Sequence, residues 1–571
     1  MTSARSPAAP AARREGRVAA SAMRHPRETE RLRSIVCRPS VGRHGTEPFR
    51  SSRDMGAGDA MTGSADVLVV GAGPAGLALA CALRLHDVDV RVIDQAPGAA
   101  TTSRANLLHA RGAEVLDRLG ALGDLPDRSA PALVLTTYIS GRPAMTIRFG
   151  DPGLGTARPA LVLPQADIEA ALRDRLVELG GTVEWSSTLV DLNQDADGVT
   201  AVLDSGETIR AGWLAGCDGA HSTVRKLAGI GFPGAPLTDQ WLLADAHADF
   251  GLDRAGGHGW AHQDGPLFMM PMPSVDGADN VWRLMAYLPG STDEKLQEPE
   301  IMERFRRLLP KRAGLAGDRL RDAIWTSVYR VHRRLATDYR QGHILLAGDA
   351  AHIHSPSGGQ GMITGIGDAE NLGWKLALVI HGRAKAALLD TYEAERRPLA
   401  TEVLRTTSTI ARLQIGNGPL VRLLTRWVLM PIFRQPAVQR QGTLVASQLN
   451  VNYRRGPLAG RIARFSRHPR PGDRVADLSC QRHDGTTTRL HAELGGRWGL
   501  LAAGNRAQAW HEEVSARLGD RVVPLAPIDR QGGPNDEVWL IRPDAHLAWR
   551  GQSGADGPGR WLDAALQQGR V

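Results

Sequence analysis

The sequence predicts an α/β fold. A doubly wound, parallel nucleotide-binding unit is interleaved with an antiparallel sheet, and a further α/β block follows at the C-terminus. Three observations predict it. The apolar run Asp66-Val67-Leu68-Val69-Val70 ends at Gly71-Ala72-Gly73-Pro74-Ala75-Gly76 and is followed by helical text. Short strand-like runs then alternate between residues 121 and 340. Finally, residues 343–376 repeat a strand, a glycine-rich turn and a helix.

Bulk properties bound the answer. At 571 residues the chain exceeds one ordinary core, so several domains are expected. It has no apolar run of about 18 residues, so no membrane span is expected. The net charge of +8 is concentrated at the start, because residues 1–60 hold twelve Arg and six Asp or Glu. The remainder is close to neutral, which gives a nucleic-acid partner little support. The cysteines, Cys37, Cys81, Cys217 and Cys480, are far apart and form no CxxC pair. They read as reduced thiols of a cytoplasmic protein.

Residues 1–60 are rich in Arg, Ser, Ala and Pro without apolar periodicity, and read as a disordered tail. They hold no secretory apolar core. An over-extended start before Met61 or a dispensable tail is the favoured reading, with an organelle transit peptide as the alternative.

The first unit has the full dinucleotide context. Gly71 suits the tight turn, Gly73 a close backbone approach to a pyrophosphate, and Gly76 close helix–strand packing. A helical run, Leu77 to Leu85, leads to a second strand, Val88 to Ile93, and then Asp94, 23 residues after Gly71. An acid there accepts from an adenosine ribose hydroxyl, which favours FAD or NAD over NADP. On position alone Arg104 reads as a solvated loop arginine, with a pyrophosphate contact as the alternative. A helical run follows from His109 to Leu119.

In the middle, Leu133 to Ile139, Met145 to Phe149, Thr200 to Leu203, Leu267 to Met272 and Val281 to Tyr287 read as strands, and Gln165 to Leu179 as a helix. Phe268, Met270 and Met272 share one face at strand spacing, which suits either an adaptable substrate wall or an ordinary core. Trp213 to Ala215 reads as a strand entering Cys217-Asp218-Gly219-Ala220-His221-Ser222, a second strand-to-helix turn. Alone, Asp218-Gly219 is only a turn, and Ser222 and Arg225 would be a cap and a solvated charge. His262, Tyr329, Arg330 and His332 read first as structural or surface residues, with substrate contact as the alternative.

Ile344 to Ala347 reads as a strand that breaks at Gly348-Asp349. The loop carries Pro356, Gly358, Gly359 and Gly361, and helix starts near Met362. Glycines let backbone N–H groups approach a ligand, and the helix start adds a positive dipole end. A carboxylate at the strand end, Asp349, suits a ligand hydroxyl. Together these suggest a cofactor with a polyol and an electron-accepting ring.

Three motifs now stand in order: GAGPAG at 71–76, CDGAHSTVR at 217–225 and GDAAHIHSPSGGQGM at 348–362. The set resembles the group A flavin-dependent aromatic hydroxylases, the fold of p-hydroxybenzoate hydroxylase and phenol hydroxylase. The resemblance covers about residues 64–410, including Asp368-Ala369-Glu370-Asn371-Leu372-Gly373-Trp374-Lys375-Leu376 and Tyr392-Glu393-Ala394-Glu395-Arg396-Arg397-Pro398. It implies a Rossmann-type FAD-binding monooxygenase domain over 61–410, with a substrate sheet within about 121–165 and 240–340. A helical connector would span 411–460. Residues 461–571 resemble a thioredoxin-like C-terminal domain, here without CxxC and so without redox activity; packing or assembly is its expected role.

By position, the resemblance implies that Gly71, Gly73, Gly76 and Asp94 hold the ADP half of FAD. Arg104 would sit at the pyrophosphate and Gln165 near the flavin. Asp218 would support FAD and passing NAD(P)H, and Asp349 a ribityl hydroxyl. Pro356 would lie near the ring, and the Gly361 and Met362 backbone would face the carbonyl beside N1. The implied reaction hydroxylates a phenolic or polyketide-like aromatic with NAD(P)H and O2 through a flavin C4a-hydroperoxide. Some relatives carry an Asp where this chain has Asn106, which cannot act as base. His109, Tyr329 and His332 are the alternatives, and no catalytic base is assigned. Rival readings are an antibiotic-modifying flavin monooxygenase and a flavoprotein that sequesters aromatics without turnover. The Trp-x-Trp-x-Ile-Pro signature of flavin halogenases is absent. A homodimer is left open.

Overall fold

The computed structural model describes residues 63–101, 105–130, 134–139, 141–148, 154–273, 280–289, 296–354, 358–415, 430–433, 435–459, 469–502, 507–528, 537–552 and 557–568. The expected tail, Arg104 and Pro356 lie outside them, as do the side chains of Arg330 and His332.

The nucleotide sheet is built on the strand Gly63–Val70, whose last four residues are buried, as an apolar run between two helical layers requires. It pairs in parallel with Val90–Ile93 on one side and Thr208–Gly216 on the other. Thr208–Gly216 then pairs in parallel with Ile344–Leu346. The three glycine motifs therefore leave the C-terminal ends of neighbouring parallel strands, where ligands of such sheets bind. The helix Pro74–Arg84 opens with proline at its first position and packs on the long helix Gly361–Ile380. Small residues allow that approach: a Cβ on Gly373 would meet the Ala82 methyl at 2.7 Å, and one on Gly365 would meet Ala75 at 3.3 Å.

Two sequence expectations change here. The second strand starts at Val90 rather than Val88. Thr200 to Leu203 does not join the antiparallel sheet of the middle; Val199–Leu203 forms a hairpin with Leu189–Gln194 on the edge of the nucleotide sheet. Alternation of apolar residues announces a strand but not which sheet it joins.

The second sheet has eight strands, in the order His352–Ile353, Leu320–Leu335, Gly234–Ala248, Val281–Leu288, Leu267–Pro271, Gly256–Ala261, Val134–Ile139 and Arg142–Arg148. One of its pairs is parallel, Val134–Ile139 with Gly256–Ala261, against the expectation of a wholly antiparallel sheet. The reason is connectivity. The chain leaves after Arg148, runs through the nucleotide unit and returns, and so long an excursion allows a parallel pairing that a hairpin cannot make. The helix Glu298–Ala313 covers one face, with Ile301, Met302, Phe305 and Leu309 on Leu242, Trp282 and Leu284. On the other face Met270 and Met272 pack against Leu107 and Val162. Further along the strands lie Trp241 and Tyr287, with Phe268, Met285 and Tyr329 against them.

The C-terminal sheet pairs Trp498–Leu501 in parallel with Val522–Pro527 through the helix Ala507–Leu518. Glu537–Ile541 runs antiparallel to Trp498–Leu501 and forms a hairpin with Leu547–Gln552, before the helix Pro558–Gln568. This is a thioredoxin-like order, and Cys480 is buried and unpaired by disulfide. The turn of that hairpin enters the nucleotide unit, where Arg542, Asp544 and His546 are at most 1% exposed.

Candidate active site

The glycine turn is set by sterics. Gly71 has φ +106° and donates its N–H to Ile93 O at 2.8 Å. A Cβ there would lie 2.5 Å from Cys217 O, so only glycine lets the first and second motifs touch. A Cβ on Gly76 would fall 1.9 Å from Gly71 O, which locks the helix onto the turn. A Cβ on Gly73 would meet nothing within 4 Å, so its open side is free for a ligand. Asp94 is half-buried and accepts from Ala72 N–H at 2.7 Å and Ala96 N–H at 2.8 Å. It therefore fastens the glycine turn as well as standing at the strand end.

In the second motif, Asp218 Oδ2 accepts from Thr223 N–H at 2.6 Å and Val224 N–H at 3.0 Å. Its Oδ1 is buried without a hydrogen-bond partner among the described residues. The structure corrects the reading of Arg225 as a solvated charge. Arg225 is 5% exposed, lies 3.8 Å over the Phe232 ring, and donates to Ala350 O at 2.8 Å and Ala220 O at 3.1 Å. It ties the second motif to the turn that carries Asp349.

That turn, Gly348–Ala350, follows the strand Ile344–Leu346, and the Asp349 side chain is exposed. Gly348 has φ +62° and donates its N–H to Asp368 Oδ2 at 3.1 Å. Asp368 is fully buried and also accepts from His352 Nε2 at 2.6 Å and from Arg396 Nε at 2.7 Å. Burial pushes its pKa up, but Arg396 and His352 outweigh this and hold it below the usual carboxylate range. Arg396 continues to Tyr453 Oη at 3.1 Å and Thr364 O at 2.8 Å. None of these groups was assigned from sequence. A signal existed: Thr364, Asp368, Asn371 and Lys375 recur at helical spacing, a polar stripe that is wholly buried.

The glycine loop ends with Gly358 at φ +98° and Gly359 at φ +63°. His109, a base candidate by sequence, holds this loop: its Nε2 lies 2.7 Å from Gly358 O. A carbonyl only accepts, so Nε2 carries the proton. Burial lowers the His109 pKa to about 4, against a smaller upward pull from Gly358, so the ring is neutral. The helix Gly361–Ile380 starts with Gly361, then buried Met362, and its N-cap Gln360 makes no side-chain cap. The Gln360 side chain therefore leaves the first-turn N–H groups uncapped. Gln165 opens the helix Gln165–Glu178, and its side chain donates to Glu169 at 2.7 Å. Burial raises the Glu169 pKa.

On the sheet side, Asn106 Nδ2 donates to Met270 Sδ at 3.6 Å and Met272 Sδ at 3.5 Å. Its neighbour Leu107 lies against Gly359, so the short strand Leu107–Leu108 joins the second sheet to the glycine loop. Of the other base candidates, Tyr329 sits opposite Trp241 across the strands; His262, a substrate-contact candidate, accepts from Asp264 N–H at 3.1 Å. No base is assigned.

The three turns stand together at the ends of parallel strands, and an apolar sheet face lies beside the glycine loop. Residues 64–407 match the family described as FAD binding domain, and residues 468–569 match aromatic-ring hydroxylase, C-terminal. The chain therefore belongs to the FAD-dependent aromatic-ring hydroxylases. It is a flavin-dependent aromatic monooxygenase.

It is 34% identical to the 6-methylpretetramide 4-monooxygenase of Streptomyces rimosus, covering 85% of this chain and 90% of that protein. It is also 34% identical to a rifampicin monooxygenase of Streptomyces venezuelae, covering 85% and 96% respectively. Among solved structures it resembles OxyS, the anhydrotetracycline hydroxylase of Streptomyces rimosus. The TM-score there is 0.73 at 33% identity, over 89% of this chain and 100% of that one.

Proposed function

We propose that the three turns hold FAD and that the enzyme hydroxylates a phenolic or polyketide-like aromatic with NAD(P)H and O2. The observation that carries this is the convergence of the three motifs at the ends of adjacent parallel strands. The residues fit the cofactor: Gly73 leaves an open cradle, Asp218 has a buried oxygen without a partner, and Asp349 is exposed at the turn.

Gly71, Gly73 and Gly76 would bring backbone N–H groups to the pyrophosphate, with Arg104 opposite. Asp94 would receive an adenosine ribose hydroxyl, and Asp349 a ribityl hydroxyl. Asp218 and Gln165 would stand beside the cofactor, and Pro356 near its ring. The N–H groups of Gly361 and Met362 would stabilise negative charge on the ring carbonyl beside N1. Bound flavin supplies the electron transfer from NAD(P)H and the activation of O2. The chain's own groups orient the ring, and the apolar sheet face excludes water from the aromatic substrate.

A fused-ring substrate is supported by the relative that acts on 6-methylpretetramide, and an antibiotic-modifying role by the relative that acts on rifampicin. We place the enzyme in the cytoplasm, where buried Cys81, Cys217 and Cys480 stay reduced, and leave a homodimer as the assembly to test by light scattering. The functional test is a screen of aromatic compounds for accelerated NAD(P)H oxidation, with products identified by mass. Peroxide without hydroxylated product for every compound would favour a sequestering flavoprotein. Flavin that stays oxidised under anaerobic NADH and NADPH, substrate present, would sink the mechanism.

A further inference from the structure

Asn106 is 6% exposed, and its amide nitrogen reaches only the two thioether sulfurs, Met270 at 3.6 Å and Met272 at 3.5 Å, among the described residues. A thioether is a weak acceptor, so the cost of burying an amide donor is poorly repaid. This donor stands where the sheet face meets the glycine loop: Leu107 Cδ2 lies 3.5 Å from where a Cβ on Gly359 would be. Met270 and Met272 are neighbours on one strand face, unbranched and able to repack.

We infer that Asn106 anchors an oxygen of the aromatic substrate, a phenol, phenolate or ring carbonyl, and that Met270 and Met272 hold the amide until that oxygen displaces them. The inference rests on the functional reading above. A substrate oxygen is a far better acceptor than either sulfur, so substrate binding completes a hydrogen bond that the protein alone leaves weak. An amide cannot take a proton from a phenol. It favours the ring oxygen as an acceptor, so the anchor orients the ring and stabilises a phenolate without serving as base. Specificity then turns on the presence of the oxygen, because an oxygen-free ring leaves the amide on the sulfurs and gains nothing from it.

The test uses the holoenzyme and follows the flavin visible spectrum during titration with 2-naphthol and with naphthalene. Wild type is expected to bind 2-naphthol about tenfold more tightly, the worth of one net hydrogen bond. Asn106→Leu should abolish this preference by weakening 2-naphthol alone, with naphthalene unchanged within about twofold on the same grounds. The pair Met270→Leu and Met272→Leu removes the competing sulfurs and should sharpen the preference, which keeps the test alive if Asn106→Leu does not fold.

The inference is overturned by a wild type that does not prefer 2-naphthol, by an Asn106→Leu variant that keeps the preference, by equal weakening of both probes, or by a methionine double variant that loses it. A holoenzyme that discriminates through Asn106 yet hydroxylates no aromatic removes the functional reading and leaves the anchor. Hydroxylation with an unaltered preference in Asn106→Leu does the reverse.

Discussion

Glu395→Gln is the substitution that most directly tests how the C-terminal domain is held. Glu395 is fully buried and accepts from Lys375 Nζ at 2.8 Å, Asn371 Nδ2 at 2.8 Å, and Arg542 Nη1 at 2.8 Å and Nη2 at 3.0 Å. Arg542 is also paired with Asp544, beside the turn that enters the nucleotide unit. Burial alone would raise the Glu395 pKa, but Arg542 and Lys375 outweigh it and hold it at about 2. A carboxylate held there rather than at its ordinary 4.5 is favoured in its charged form by about 3 kcal/mol at neutral pH. Leaving a buried cation uncompensated costs about 3–5 kcal/mol, the same size by a separate route. Glutamine keeps the shape and removes the charge, so Lys375 and Arg542 are left facing Asp544 alone.

Urea unfolding of the holoenzyme should lose about 3 kcal/mol in Glu395→Gln. Adding Arg542→Met should return part of that loss, because the second change removes a stranded charge. In the wild type the folded pKa is depressed, so this contribution is present above about pH 4.5 and lost as pH falls toward 2. A loss under about 1 kcal/mol, or strict additivity in the double variant, would refute the reasoning.

Gly76→Ala should abolish FAD retention on gel filtration, because its methyl would lie 1.9 Å from Gly71 O and must push the helix off the turn. His109→Gln should weaken the hold on Gly358 and lower FAD affinity by about tenfold, read by flavin fluorescence. The same variant should flatten the pH dependence of stability between about 6.5 and 4. There the unfolded histidine takes a proton that the folded one, held at about 4, refuses, so the wild type loses stability as pH falls through that window. Asp349→Ala should weaken FAD binding by about tenfold, the worth of one hydrogen bond, while leaving the thermal midpoint of the apoprotein unchanged.

The glycine motif was legible because its requirements are local. Gly71 at φ +106° and the short span to Gly76 are properties of a few consecutive residues, and so is the strand that precedes them. The same holds for the Gly348–Ala350 turn and the helix that begins at Gly361. Asp349 and Asp218 could be singled out because each stands at a strand-to-turn transition. The burial of Arg225 and the loop contact of His109 were not legible, because nothing in their neighbours says that Ala350 or Gly358 will lie within hydrogen-bond reach.

By itself, then, the sequence determined the elements, their glycine turns and the kind of cofactor those turns suit. Only the tertiary structure decided which polar groups are buried together and which strands are neighbours. Asp368 binds Gly348 across 20 residues, Asn106 finds Met270 across 164, and Arg111 reaches Asp544 O across 433. The physical reason is range. Backbone conformation and periodicity act over a turn or a strand, whereas burial and pairing of charge depend on packing whole elements, and no local pattern specifies that packing.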